Sequence, residues 1–198
     1  MKPLLIWFMK TKLYKWALKS VIPYIRFTTY YPSLRGHKYV KGYDLLRPGH
    51  IILTTDKRKL TSLLIPGDFS HAAFCVGKHP DPWEIVEMTH TNFTKSHFFD
   101  LCKEADRVVI LECVDFGNGY IERMIEKAMS FEGAMYDAEF TLGVDALYCS
   151  ELIYQADFAK FLQVDLSDLA GLRRPYLSPD GLYRAKNVRV VWDSENEG

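Results

Sequence analysis

Between His50 and Val114 the chain breaks into short apolar runs separated by turn residues, and beyond that point the apolar spacing lengthens to that of helices. The runs are His50–Thr55, Ser70–Gly77, Trp83–Thr89 and Arg107–Val114, with one more at Asn187–Trp192. In Ser70–Gly77, His71, Ala73 and Cys75 fall on one face of a strand, and Ala72, Phe74 and Val76 on the other. The prolines at 80 and 82 make a turn, so this run and the next read as a hairpin. Ile121, Met124, Ile125, Ala128 and Met129 recur at helical spacing within Asn118–Phe131. A second helix is expected over residues 149–162, with Leu152, Ile153, Ala156, Ala159 and Phe161 inward. Strands and helices are segregated rather than alternating, which points to an α+β fold. Residues 27–48 read as irregular, and 56–69 as a loop whose Leu63, Leu64 and Ile65 edge a binding site.

Charge divides the chain in two. Residues 1–43 hold nine basic side chains (Lys2, Lys10, Lys12, Lys15, Lys19, Arg26, Arg35, Lys38 and Lys41) and no acid before Asp44. The whole chain has 25 basic and 25 acidic groups, so the remainder is as acidic as the arm is basic. The division expected is a basic arm over residues 1–43 and a catalytic domain over 44–198. The balanced total argues against a protein that coats nucleic acid.

The apolar run Leu4–Met9 is far short of the ~20 residues of a membrane span, and lysines interrupt any longer window. No small-residue cleavage site follows it, so a cytoplasmic location is expected. At about 100° per residue, Leu13, Tyr14, Ala17, Leu18 and Val21 oppose Lys12, Lys15 and Lys19 on a helix that Pro23 ends. Two placements fit residues 1–22: a helix lying at a membrane surface, or one docked on the acidic body.

Cys149 begins the second helix. A thiol there meets unpaired backbone N–H groups and the positive end of the helix dipole, and both favour thiolate. The same position also suits a small buried residue. A nucleophilic cysteine needs a base, and His71 stands at a strand start among small residues, where a structural histidine would also fit. Glu87 shares a strand face with Trp83 and Ile85. A carboxylate there needs a partner, and an imidazole on the adjacent strand would supply it. His90 and Thr89 are alternatives, and Glu84 falls on the opposite face. His79, His90, His97 and Cys102 match no common metal-ligand spacing. There is no GxxxxGK, GxGxxG or GxSxG. No metal or organic cofactor is expected.

The segment Phe131-Glu-Gly-Ala-Met-Tyr-Asp-Ala-Glu-Phe, followed by Leu147-Tyr-Cys-Ser-Glu-Leu-Ile-Tyr, resembles the circularly permuted NlpC-type papain-like proteins, nearest to the YiiX-like subgroup. Pro48-Gly-His-Ile-Ile-Leu, Ser70-His71-Ala-Ala-Phe and Ile85-Val86-Glu87 match its upstream strands, with His50 where an Asp is usual. The resemblance covers roughly residues 47–160. It implies an α+β fold with the cysteine helix packed on an antiparallel sheet. It further implies Cys149 as nucleophile, His71 as base and Glu87 as the orienting carboxylate. Backbone N–H at Cys149, aided by Tyr148, would then bind the oxyanion. The activity implied is a thiol hydrolase or acyltransferase acting on an amide, ester or thioester, with a peptide- or lipid-linked substrate. The alternative is a module that binds a lipid or acyl chain without turnover.

Overall fold

A computed structural model describes residues 11–21, 25, 34, 36–59, 67–78, 82–168 and 175–196. Its centre is a six-stranded sheet built from β1 (Ile51–Thr55), β2 (His71–Lys78), β3 (Trp83–Met88), β4 (Phe93–His97), β5 (Arg107–Cys113) and β10 (Val188–Asp193). The order is β10-β5-β1-β2-β3-β4, and every neighbouring pair is antiparallel. Short pairs complete the strands: β6 (Met135–Tyr136) runs parallel to β7 (Ala146–Leu147), and β8 (Ser167–Asp168) antiparallel to β9 (Pro175–Tyr176). The helices are α1 (Lys12–Ser20), α2 (His37–Leu45), α3 (Phe98–Cys102), α4 (Asn118–Met129), α5 (Cys149–Ala156) and α6 (Pro179–Tyr183). The fold is α+β, as its segregated runs imply.

Helices cover both faces of the sheet. On one, Ile51, Leu53, Ala72, Phe74, Val86, Val109 and Leu111 pack with Met124 and Ala128 of α4 and Leu152, Ile153 and Ala156 of α5. On the other, Ile52, Ala73, Cys75, Ile85, Val108 and Ile110 meet Phe98 and Leu101 of α3 and Trp192. Two-sided burial explains why the strands read as continuous apolar runs rather than as alternating ones.

Three local expectations change. Residues 37–45 form α2 rather than irregular chain. Tyr39 and Tyr43, one turn apart, pack on the second core face, and a Cβ at Gly42 would lie 2.8 Å from the Trp192 ring. Helix α5 stops at Ala156 instead of running to 162. The Asp157 carboxylate accepts the N–H groups of Phe161 and Leu162, which turns the chain, buries Leu162 and leaves Phe161 exposed. The third change is β4, a strand the sequence reading does not contain. The Leu63-Leu64-Ile65 loop lies outside the described residues.

Helix α1 forms within the basic arm and ends at Ser20, ahead of Pro23. Among the described residues no helix is long and apolar enough to cross a membrane.

His50 is buried at the entrance to β1, its Nδ1 accepting the Arg47 backbone N–H at 3.2 Å. Burial first, then the charges of Arg47 and Arg189, lowers it to about 4 against the opposing pull of Glu112. The unfolded chain therefore binds a proton here between pH 6.5 and 4 that the folded chain refuses. The stability held above pH 6.5 is lost progressively towards pH 4, on the order of 3 kcal/mol in all. His50→Asn keeps an acceptor and does not titrate. Its melting temperature should fall less than the parent's over that window, and parallel curves would sink the assignment.

Candidate active site

The N-terminal end of α5 faces the start of β2. Helix α5 begins at Cys149, with Tyr148 as an extended N-cap. Glu151, wholly buried in the first turn, accepts the N–H of Gly143 at 2.6 Å and that of Tyr148 at 3.4 Å. Burial outweighs those bonds and pushes its carboxyl up to about 7. The pairing of β6 with β7 brings Tyr136-Asp137 beside Leu147-Tyr148, two segments eleven residues apart in sequence. Asp137 then accepts the N–H groups of Glu139 at 2.7 Å and Thr141 at 2.6 Å, which fixes the loop between them.

On the sheet, Ala73 lies opposite Glu87, so His71 and Glu87 are diagonal neighbours on adjacent strands. Their side chains meet, His71 Nε2 to Glu87 Oε2 at 2.6 Å. The other carboxylate oxygen accepts the Ser96 hydroxyl at 2.5 Å. Glu87 is nearly buried, and burial alone would raise its pKa. The hydrogen bond and charge of His71, with Ser96 and the more distant Lys59, instead hold it below its usual range.

Cys149 and His71 interact, and each shifts the titration of the other. Burial by itself disfavours charge on both. For the thiol, that is overcome by the influence of His71 and by the backbone N–H groups of Ala72 and Ser150, so its pKa falls below the ordinary thiol value. For the histidine, Cys149 and Glu87 outweigh burial and raise it to about 10. The favoured state is thus thiolate beside imidazolium. The other three cysteines move the opposite way, with burial pushing Cys75 and Cys113 up to about 12 and Cys102 higher still.

The sequence candidates therefore divide. Cys149, His71 and Glu87 come together in one chain of contacts. Glu84 lies opposite His97 and away from His71. Thr89 bonds within its own turn, to the carbonyl of Asn92 and the hydroxyls of Thr91 and Thr94. The Tyr148 ring is wholly buried against Phe140 and Tyr176, and its hydroxyl accepts the Leu177 N–H at 3.1 Å. Among the described residues no group of three or more His, Cys, Asp or Glu side chains could hold a metal ion.

Two supports were not read from the sequence. One is Ser96, carried on β4. The other is Asp180, which is buried and accepts the N–H groups of Asp68 at 3.0 Å and Phe69 at 3.1 Å, just ahead of His71. A Cβ at Gly67, where φ is +127°, would sit 2.1 Å from Asp180 Oδ2. The Ser178-Pro179-Asp180 helix start, with Ser178 capping Gly181, is a legible signal for that residue.

A cysteine at a helix start, packed on an antiparallel sheet that carries a histidine–carboxylate pair, is the arrangement of the papain-like thiol hydrolases. Here the histidine and carboxylate precede the cysteine in the chain. The protein belongs to the permuted papain-like amidase enzymes, the YaeF/YiiX, C92 family, whose model matches residues 45–194. Among solved structures it is similar to the metalloprotein YiiX from Escherichia coli O157:H7, with a TM-score of 0.62 and 16% identity, over 74% of this chain and 96% of that one. A search of curated proteins found no match.

Proposed function

We propose that the protein cleaves an amide bond, or a related ester or thioester, through Cys149, His71 and Glu87. The observation that carries this is the His71–Glu87 hydrogen bond of 2.6 Å beside Cys149, with a lowered thiol on one side of the ring and a lowered carboxyl on the other. Cys149 Sγ attacks the carbonyl carbon, and the oxygen takes the negative charge. The first-turn backbone N–H at Cys149, which has no partner within the helix, donates to that oxygen. Tyr148 shapes this end of α5 from beneath. As the C–N bond breaks, the leaving nitrogen takes the proton of the His71 imidazolium, and an acyl thioester remains on Cys149. His71, now neutral, removes a proton from water, whose oxygen attacks the thioester. The acid product leaves and the thiolate–imidazolium pair is restored. An acceptor alcohol or amine in place of water makes the same steps an acyl transfer. Glu87 holds the ring and offsets its charge, and Ser96 holds Glu87.

The test is thiol labelling across pH with residue-resolved mass spectrometry. Cys149 should react well before Cys75, Cys102 and Cys113 near pH 7. Any hydrolysis detected should fall as the pH rises through about 10, where His71 loses the proton it must donate. If Cys149 labels no faster than the other three near neutrality, the catalytic reading fails. The site would then belong to a lipid- or acyl-binding module without turnover.

A further inference from the structure

Helix α1 turns apolar side chains to solvent. Leu13 is 61% exposed and Trp16 58%, and Lys12 beside them is exposed as well. At about 100° per residue Trp16 falls between Leu13 on the apolar side and Lys12 on the basic side. Val21 and Ile25 continue the exposed apolar series beyond its end. Burial of Leu13 and Trp16 is the stabilisation a docked helix would gain, and it has not been taken.

Along the chain the charge of this segment is of one sign, since residues 1–43 carry nine basic groups and no acid before Asp44. Four acids of the body have cationic partners of their own: Asp56 with Arg58, Glu104 with Lys59, Asp193 with Arg107, and Glu112 with Arg189. With Leu13 and Trp16 left in solvent, the surface that matches this helix is an external anionic one that also accepts leucine and tryptophan. A phosphate-lined bilayer offers both features, because tryptophan settles at the headgroup level and lysine pairs with anionic lipid. Nucleic acid would satisfy the charge but leave Leu13 wet.

We propose that α1 is a membrane-surface element, lying in the plane of an anionic bilayer with Leu13 and Trp16 at the headgroup–acyl boundary. At nine residues it is much too short to cross. Apolar insertion and charge attraction are each marginal for so small a helix, so the association is reversible and needs both. The thiol chemistry proposed above is independent of this surface.

The experiment is co-sedimentation of the full chain with phosphatidylcholine vesicles, with and without phosphatidylserine. Binding is expected only with phosphatidylserine and should weaken as salt rises. Leu13→Ala/Trp16→Ala and, separately, Lys12→Glu/Lys15→Glu should each lower partitioning by about tenfold or more. Circular dichroism and melting temperature should be unchanged, because Leu13, Trp16 and Lys12 are exposed. Absence of binding by the parent chain overturns the proposal. So does full binding by the Leu13/Trp16 variant, which would reduce the contact to charge alone. Vesicle binding that Lys12→Glu/Lys15→Glu leaves intact overturns it from the other side.

Discussion

Replacing His71 with alanine should cut labelling of Cys149 at pH 7 by at least about a hundredfold, while the protein stays folded. Burial is the largest influence on the Cys149 thiol and acts to raise it, and His71 is the largest of the influences that oppose it. Without the ring, the N–H groups of Ala72 and Ser150 alone face that burial. Cys149 then moves upward, in the direction in which burial carries Cys75 and Cys113. Glu87→Gln should be milder. It keeps a group near Ser96 and a polar partner for the ring, but loses the charge that favours imidazolium. Labelling should therefore be reduced yet measurable, and Cys149→Ala should have no activity at all. Glu84→Gln should behave as the parent chain, because Glu84 lies opposite His97 rather than beside His71. The four variants are compared by thiol labelling over a pH series, with circular dichroism as the folding control. A His71→Ala protein whose Cys149 still reacts at the parental rate near neutrality would remove the ion pair as the source of reactivity.

Asp180→Ala should be the most damaging single change away from the thiol. Its carboxylate is the acceptor for the N–H groups of Asp68 and Phe69, and Phe69 is buried. Each buried donor left without an acceptor costs about 1–3 kcal/mol. For the buried Phe69 donor in a chain of this size that amounts to a fall of roughly 2–12 °C in melting temperature. The same change frees the backbone immediately before His71, so Cys149 labelling at neutral pH should fall as well. Asp180→Asn retains one acceptor oxygen and should lose about half as much stability. A melting temperature within a degree or so of the parent's for Asp180→Ala would show that water replaces the carboxylate at no cost.

Much of the architecture was legible because burial and periodicity agreed. Runs such as Ile51–Thr55 and Arg107–Cys113 are apolar throughout, and both faces of the sheet bury them. Strand β4 was not legible for the opposite reason. Phe93-Thr-Lys-Ser-His has a single large apolar residue, as suits a sheet edge that a lysine keeps from pairing further. Helix α2 was hidden by the turn-forming residues before it and by Gly42, whose absent side chain makes room for Trp192. Such a contact, between residues at opposite ends of the chain, leaves no local trace. At the site, residue types and spacing nominated Cys149, His71 and Glu87. The sequence could not supply the register that sets Ala73 opposite Glu87 and so makes His71 its diagonal neighbour. Ser96 and Asp180 act through tertiary contacts, and only the helix start at Ser178 marked the second.

Under the function proposed for Cys149, the order of elements bears on when the protein would become chemically reactive. Synthesis delivers His71 and Glu87 before Cys149, and the sheet is not complete until β10 has paired with β5. Until α5 settles against β2, Cys149 is an ordinary thiol, protonated at neutral pH and slow to react. The nascent chain therefore carries no aggressive nucleophile while its neighbours on the ribosome are unfolded and exposed. The same dependence holds in reverse, because a molecule that loses its sheet silences its own sulfur, and damage to the fold ends in inertness rather than in stray acylation.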